Sequence, residues 1–186
     1  MKILAIETSC DETGIALIES DAKSKTRPVR GRGSLRALAA SNGIKILANL
    51  VSSQIETHRP FGGVVPFLAK REHEKNLPIL FSKLKAKSWK LEAIDIIAVT
   101  NGPGLAPCLW TGVNFAQKIA QELNKPLVGI NHLKGHIYIN ILENKITFPV
   151  LSLIVSGGHT QLVFSKKLGH YQIIGETLDD ATGEAF

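Results

Sequence analysis

The stretch ILAIETSCDETGIALIES, residues 3–20, consists of an aliphatic run, a turn of small and acidic residues, and a second aliphatic run. The stretch VLSLIVSGGHTQLVFSKK, residues 150–167, repeats this plan with a glycine-containing turn. Two aliphatic runs around a polar turn are typical of a pair of neighbouring β-strands. Because one supersecondary unit occurs twice, the sequence predicts a duplicated fold.

The residues between the two copies predict the rest of the architecture. Aliphatic runs and helical spacing predict strands over 44–54, 94–100 and 126–130, the last of them buried, and helices over 66–84, 105–124 and 131–142. The first helix carries His73 on its apolar stripe, and Pro78 is expected to kink or divide it. Hairpins followed by alternating helices and strands indicate a mixed α/β sheet of the ribonuclease-H-like kind. Its polar turns would face a cleft between two lobes.

The composition fits one large globular domain or two small ones. Of the 186 residues 44% are hydrophobic and 6% aromatic, so small aliphatic side chains are expected to form the core. The net charge of +6 is concentrated between residues 21 and 36, where six basic residues accompany one acidic residue. We expect an exposed insertion over 21–43 that either solubilises the chain or grips RNA phosphates. Its lack of interleaved aromatic residues favours the solubilising role.

The cysteine content and the N-terminus indicate the compartment. Cys10 and Cys108 are too few for a disulfide scaffold or a cysteine-based zinc site, and they fit a reducing environment. The charge of Glu7 interrupts the first apolar run before a signal-peptide core forms, and no apolar run is long enough for a membrane span. We therefore expect a cytoplasmic protein without a membrane partner.

His132 and His136 stand four residues apart in HLKGH, on a predicted helix. This spacing places both imidazoles on one helical face, where they can share a divalent metal ion. A pair of partly buried helix histidines explains the same pattern, and a complete metal site requires a third ligand from elsewhere. A zinc-protease motif is excluded because Leu133 occupies the position of its general-base glutamate.

Asp11 and Glu12 are the acidic residues of the first polar turn. Carboxylates at such a position can hold a cation, orient water or act as a base, although acids in turns are mostly solvated. The turn NGPG, residues 101–104, leads from a strand into a helix. It either presents amides to an anion at the helix N-terminus or is a tight structural turn.

The second polar turn offers backbone amides. Ser156, Gly157 and Gly158 follow a strand, and glycines let a backbone approach phosphate or carboxylate closely. An ordinary hairpin turn explains the same glycines. His159 is either a site residue or a hydrogen-bonding residue of the surface.

Six motifs occur along the chain in the order IETSCDET, GGVVP, NGPGL, HLKGH, LIVSGGHTQL and GETLDDATGEAF. With these motifs the chain resembles the N-terminal half of the tRNA N6-adenosine threonylcarbamoyltransferase family, in its bacterial or organellar branch. The resemblance implies an actin-like ASKHA fold, in agreement with the predicted duplication. It implies transfer of a threonylcarbamoyl group from threonylcarbamoyl-adenylate to N6 of adenosine 37 of tRNA. The implied partners are tRNA and TsaB- and TsaE-like proteins.

The resemblance also implies roles for individual residues. Asp11 and Glu12 match the acidic turn at the reaction centre, with Asp11 as the candidate to receive the N6 proton. His132 and His136 match two histidines that hold one divalent metal ion, iron or zinc. The loop that binds the acyl-adenylate, with ATP or ADP as further candidate ligands, corresponds to Ile154, Val155, Ser156, Gly157, Gly158 and His159.

The match to the family is partial. Phe67 stands where the family usually has a glutamate, and the basic insertion over 21–43 is unusual. Residues 1–130 are expected to form a complete first lobe, and residues 131–186 the metal-binding helix and the beginning of a second lobe. Because the second unit opens without finishing, we expect a truncated or split chain. The family's third metal ligand, an aspartate, would then lie outside it.

Two other functions fit the same pattern. A small-molecule kinase of the ASKHA superfamily would bind ATP with Mg²⁺ and would not depend on His132. A non-catalytic fragment or partner would support a tRNA-modification complex without carrying out chemistry. The six motifs favour the transferase over both.

Overall fold

The computed structural model describes residues 1–20, 44–86, 91–143, 147–156, 158–179 and 181. The insertion expected over 21–43 lies outside the described residues, as do Gly157 and Asp180. The chain divides into two compact units, Met1–His132 and Leu133–Phe186. The lobe boundaries expected from the sequence stay a prediction.

The first unit is built on a five-stranded mixed sheet with the strand order β3-β2-β1-β4-β5. Its strands are β1 (Lys2–Glu7), β2 (Glu12–Ser20), β3 (Ile44–Ser53), β4 (Ile96–Gly102) and β5 (Leu127–Asn131). β2 is antiparallel to both of its neighbours, whereas β4 runs parallel to β1 and β5 runs parallel to β4. The carboxyl ends of β1, β4 and β5 therefore meet at one edge of the sheet.

Two long helices cover one face of this sheet. The helices of the first unit are α1 (Ile55–His58), α2 (Pro66–Ala86) and α3 (Ala106–Leu123), with short 3-10 helices at Arg59–Phe61 and Leu91–Ala93. α2 packs on β2 and β3, and α3 packs mainly on β4 and β1. Alternate strand residues point to these helices and pack with helix residues in a buried core. The strands contribute Leu4, Ile6, Ile15, Leu17, Ile97 and Val99, and the helices contribute Leu77, Leu84 and Ile119.

The opposite face of the sheet carries small side chains at its centre. Ala5 pairs with Ala16 on one side and with Ala98 on the other. Together with neighbouring residues they line an open hollow of about 420 Å³, which ends at Glu7 and Thr100. The hollow therefore extends to the polar side chains at the carboxyl ends of β1 and β4.

The second unit contains α4 and an antiparallel sheet in the order β6-β7-β8. α4 (His132–Glu143) begins at the last residue of the first unit, and the strands are β6 (Val150–Val155), β7 (Thr160–Lys167) and β8 (His170–Glu176). Ile137 of α4 packs with Ile154 and Val163 in a small core. The β6–β7 pair is an antiparallel hairpin like the β1–β2 pair, so the internal repeat predicted from the sequence is confirmed.

Three details differ from the sequence prediction. Pro78 does not divide α2, because it lies on the exposed side, where water can satisfy the carbonyl that loses its helical donor. β4 continues to Gly102, so the NGPG turn begins inside the strand. β5 is not buried: Val128 is 43% and Ile130 41% exposed, because they pair with Ala98 and Thr100 and therefore lie on the face of the sheet that α2 and α3 do not cover. In the part of the chain that the structure describes, every helix is too short or too polar for a membrane span.

Gly112 allows α3 to pack directly against the polar turn that follows β1. A Cβ atom at this position would overlap Thr8 Oγ1 and lie 3.3 Å from Thr8 Cβ. Thr8 Oγ1 also donates a hydrogen bond to the Cys108 carbonyl at 2.9 Å. The two elements therefore touch without space for a methyl group.

Gly112→Ala should lower the free energy of unfolding by about 1–3 kcal/mol through overpacking, although alanine favours helix formation. Urea unfolding followed by circular dichroism measures the change. In a Thr8→Ala background the same substitution should cost less, because the overlapped oxygen is absent. An equal cost in both backgrounds would contradict the packing explanation.

Candidate functional site

The topology of the first unit brings polar side chains from several elements to one edge of the sheet. Glu7 is the last residue of β1, Thr100 lies near the end of β4, and His132 directly follows β5. Ser9 belongs to the turn after β1. These side chains meet because β1, β4 and β5 are parallel and end at the same edge. We refer to the four residues as the Glu7 cluster.

The Glu7 carboxylate is the centre of this cluster. Its Oε1 accepts a hydrogen bond from the Ser9 amide at 2.6 Å, and its Oε2 accepts one from Thr100 Oγ1. His132 Nδ1 lies 3.4 Å from Glu7 Oε2 and 3.2 Å from Ser9 Oγ. A carboxylate oxygen beside Nδ1 favours the tautomer with the proton on Nδ1 and the lone pair on Nε2. A histidine that binds a metal through Nε2 requires this tautomer.

Hydrogen bonding sets the charge of Glu7. Burial by itself would raise the pKa of this carboxyl group. The hydrogen bonds from His132, Ser9 and Thr100 outweigh burial and lower the pKa from 4.5 to about 2. Glu7 is therefore a carboxylate throughout the neutral pH range.

The acidic turn consists of Asp11 and of Glu12, which is the first residue of β2. Asp11 is half-buried, and its carbonyl accepts a hydrogen bond from the Gln54 amide at 2.9 Å. Glu12 is exposed, and Ser53 Oγ donates to its Oε1 at 3.3 Å. The partial loss of water around its carboxyl group first, and then the adjacent charge of Asp11, raise the pKa of Glu12 above its usual 4.5. A carboxyl group with a raised pKa beside a second carboxyl group is suited to proton transfer.

The turn between β4 and α3 packs on Ser9. The Leu105 amide donates to the Ser9 carbonyl at 2.8 Å, and a Cβ on Gly104 would come within 2.6 Å of the same oxygen. This amide is engaged inside the protein rather than directed at an anion. Of the two explanations of the NGPG motif, the geometry therefore favours the tight structural turn.

The turn between β6 and β7 holds the candidate residues of the second unit. The Ser156 amide donates to the His159 carbonyl at 2.8 Å, and the His159 amide donates to Ser156 Oγ at 3.0 Å. These hydrogen bonds close the hairpin. The side chain of Ile154 is buried in the core, so a ligand could contact this residue only through its backbone. The side chain of Val155 is 51% exposed.

Gly158 is exposed, and a Cβ at its position would meet no atom within 4 Å. A ligand therefore has room to approach the backbone of this turn. Gly157 lies outside the described residues. The role of the turn in binding an acyl-adenylate stays a prediction.

His136 lies one turn after His132 on α4 and is exposed. Helical side chains four residues apart point to the same side, so the donor chemistry of the pair fits a shared metal ion. No group of three or more His, Cys, Asp or Glu side chains with metal-binding geometry occurs among the residues described. The pair therefore fits part of a metal site, which a further ligand would have to complete.

Sequence reasoning missed three members of the Glu7 cluster, namely Glu7, Ser9 and Thr100. Glu7 and Thr100 both lie near the end of an aliphatic strand, on the face opposite the covering helices. A charged or hydroxyl side chain that closes a buried strand needs partners. The polar residue at the end of each aliphatic strand was therefore the sequence signal that could have identified Glu7 and Thr100.

Comparison with solved structures identifies the class of fold. The chain is similar to YeaZ from Pseudomonas aeruginosa, with a TM-score of 0.54 and 18% identity over 95% of this chain and 66% of that one. It is similar to the PPX-GPPA enzyme of Aquifex aeolicus, with a TM-score of 0.50 and 13% identity over 95% and 51% of the two chains. At these identities the likeness shows the fold alone. The fold is the actin-like ASKHA fold, as predicted.

Sequence comparison identifies the family. Residues 45–186 match the family model described as tRNA N6-adenosine threonylcarbamoyltransferase. The relative of that name from Dictyoglomus turgidum is 47% identical over 188 residues, which are 100% of this chain and 50% of the relative. The relative from Bacillus subtilis (strain 168) is 45% identical over 187 residues, 100% of this chain and 48% of the relative. The chain belongs to the tRNA N6-adenosine threonylcarbamoyltransferase family and spans about half the length of these relatives.

Glu7→Gln should lower the free energy of unfolding by about 1–3 kcal/mol, because an amide replaces an oxygen that accepts hydrogen bonds from several donors. Urea unfolding followed by circular dichroism measures this loss. The matched control is Glu19→Gln on β2, whose carboxylate lies 4.0 Å from Lys2 Nζ in an exposed ion pair. The control should change stability by less than about 0.5 kcal/mol. Equal effects of the two substitutions would contradict the structural role of the Glu7 cluster.

Proposed function

We propose that this chain takes part in the transfer of a threonylcarbamoyl group from threonylcarbamoyl-adenylate to N6 of adenosine 37 of tRNA. The observation that carries the proposal is the Glu7 cluster, which orients His132 at the sheet edge where the turn after β1 leads to Asp11. Family membership supports the same reaction and disfavours the kinase. A location in the cytoplasm belongs to the same proposal.

The reaction needs positioning more than activation. Threonylcarbamoyl-adenylate is a mixed anhydride, so its carbamoyl carbon is already electrophilic. The N6 nitrogen forms a bond to this carbon, and the bond from the carbon to the phosphate oxygen breaks with release of AMP. Asp11 receives the proton that N6 loses. Holding donor and acceptor in line supplies most of the remaining rate enhancement.

His132 and His136 would hold a divalent metal ion, iron or zinc. When bound, such an ion supplies Lewis-acid stabilisation of an oxygen on the substrate. Glu7 keeps the His132 ring in place through Nδ1, and Ser9 Oγ supports the same atom. The resemblance to the family implies that the third ligand is an aspartate outside residues 1–186.

The loop from Ile154 to His159 would bind the acyl-adenylate. Gly158 supplies open backbone, and the hydrogen bonds between Ser156 and His159 hold the turn in shape. ATP or ADP are further candidate ligands of this loop. The tRNA and TsaB- and TsaE-like proteins are the proposed macromolecular partners.

Metal content tests the histidine pair directly. The purified chain should contain iron or zinc, and a variant with His132→Ala and His136→Ala should lose it. Elemental analysis of both proteins measures the metal-to-protein ratio. A variant with His159→Ala and His170→Ala serves as a control and should retain the metal. Equal metal content in all three proteins would count against the pair.

A chimera tests the reaction. Residues 1–186 replace the matching half of the Bacillus subtilis relative, and modified nucleosides in tRNA are quantified by mass spectrometry after incubation with threonylcarbamoyl-adenylate. We expect transfer, and we expect Asp11→Asn to reduce it by about 10²-fold or more, as for loss of a general base. Asp95→Asn, at the opposite end of the sheet, should leave it unchanged. A folded chimera without transfer would support the non-catalytic alternative, and an active Asp11→Asn variant would exclude the proposed base.

A further inference from the structure

Three buried side chains behind the acidic turn form a polar network that the proposed reaction does not use. Gln54 follows β3, His58 ends α1, and His73 lies in the middle of α2. Their exposed fractions are 1%, 4% and 0%. Buried polar groups persist only where hydrogen bonds compensate for lost water. The donors and acceptors of all three side chains have such partners.

The hydrogen bonds of His73 assign its protons. Its Nε2 lies 2.9 Å from the carbonyl oxygen of Cys10, which only accepts, so Nε2 carries the proton. Its Nδ1 lies 2.8 Å from Thr13 Oγ1 and 3.3 Å from Gln54 Nε2, which both donate to it. His73 is therefore a neutral imidazole with a defined tautomer.

The network continues through Gln54 to His58 in the same direction. Gln54 Nε2 also donates to the Ala69 carbonyl at 3.4 Å, so both amide hydrogens are used. Its Oε1 accepts from His58 Nε2 at 3.0 Å, and His58 Nδ1 accepts from the Val65 amide at 3.3 Å. Every hydrogen bond from Val65 N–H to the Cys10 carbonyl therefore points the same way.

The network ends on the backbone of the acidic turn at two places. His73 donates to the Cys10 carbonyl, and the Gln54 amide donates to the Asp11 carbonyl at 2.9 Å. These two carbonyls flank the Cα atom of Asp11. The direction of the Asp11 side chain therefore depends on groups that lie behind the turn.

The charge of His73 matters for this arrangement. Burial lowers the pKa of His73 below its usual 6.5, and His58 acts in the same direction. The carboxylates of Glu7 and Asp11, from β1 and from the turn, act in the opposite direction. A proton on Nδ1 would face the Gln54 amide nitrogen, which can only donate, so protonation breaks the bond from Gln54 and forces the Thr13 hydroxyl to turn from donor to acceptor.

We propose that His73 is a positioning residue, which with Gln54 and His58 fixes the Cys10 and Asp11 carbonyls and thereby aims the Asp11 carboxylate. The inference rests on the proposed function in one respect, namely that Asp11 takes part in the reaction. The geometric part concerns the backbone of this chain and can be tested without any transfer activity.

Two variants of His73 separate positioning from packing. The terminal amide of His73→Gln reaches the place of Nε2 and can still donate to the Cys10 carbonyl, whereas His73→Asn reaches only the place of Nδ1. Both lose the aromatic ring. In the full chain, the NMR signal of the Asp11 amide, which is bonded to the Cys10 carbonyl, should move in His73→Asn and return toward wild type in His73→Gln. His170→Asn on β8 is the control and should leave it in place.

The same signal reports the protonation of His73 in the wild-type chain, so this measurement does not depend on a variant that folds. Because the pKa of His73 is lowered, the network and its contribution to stability are complete above pH 6.5. The bond from Gln54 to Nδ1 and the stability that it contributes are lost as the pH falls through the lower pKa of the folded state. The Asp11 amide and the His73 ring should titrate with a common midpoint.

Activity of the chimera tests the last step. His73→Asn should lower kcat about tenfold or more with KM for tRNA unchanged, as expected for a misaligned base, and His73→Gln should restore most of it. The proposal is overturned if the NMR signal of the Asp11 amide does not move in His73→Asn or if it moves equally in His73→Asn and His73→Gln. It is also overturned if the Asp11 amide and the His73 ring titrate with different midpoints. A wild-type chimera without transfer would count against the proposed function, and the two NMR measurements would still decide the positioning.

Discussion

The carboxylate of Glu7 connects three distant segments of the first unit. A half-buried charge at the end of a strand must receive hydrogen bonds or be neutralised. Its donors come from the turn after β1, from β4 and from the start of α4, through Ser9, Thr100 and His132. They can reach it only because β4 and β5 run parallel to β1. The parallel arrangement of β1, β4 and β5 therefore brings these donors to Glu7, and their hydrogen bonds to Glu7 in turn hold the ends of these segments together.

The local elements of the fold could be predicted because their signals lie close together in the sequence. The hairpin plan of residues 3–20 recurs in residues 150–167, and both stretches form antiparallel pairs. The apolar stripe of α3 and its end at Asn124 also follow from helical spacing. Such patterns depend on periods of two or about four residues. They do not specify which strand lies beside which.

The contacts of the site depend on that missing information. Glu7 and His132 are 125 residues apart, and Glu7 and Thr100 are 93 residues apart. Neither separation leaves a pattern in the sequence. The apolar stripe that His73 shares with Leu77 on α2 predicts that the His73 side chain is buried. It does not predict the hydrogen-bond partners of this imidazole, which come from β2, from the residue after β3 and from the turn after β1. The exposure of β5 was missed for a similar reason, because an aliphatic strand does not reveal which face of the sheet its helices will cover.

The glycines at 104 and 112 have a consequence for motion. Gly104, in the turn before α3, touches Ser9, and Gly112, within α3, touches Thr8, both so closely that a methyl group would not fit. Two surfaces in such contact cannot slide past each other without first separating. We therefore expect the first turns of α3 and the residues just before the acidic turn to move together, because separating them would lose these packing contacts. Local adjustments of this edge of the sheet are expected in segments that are not packed against each other in this way.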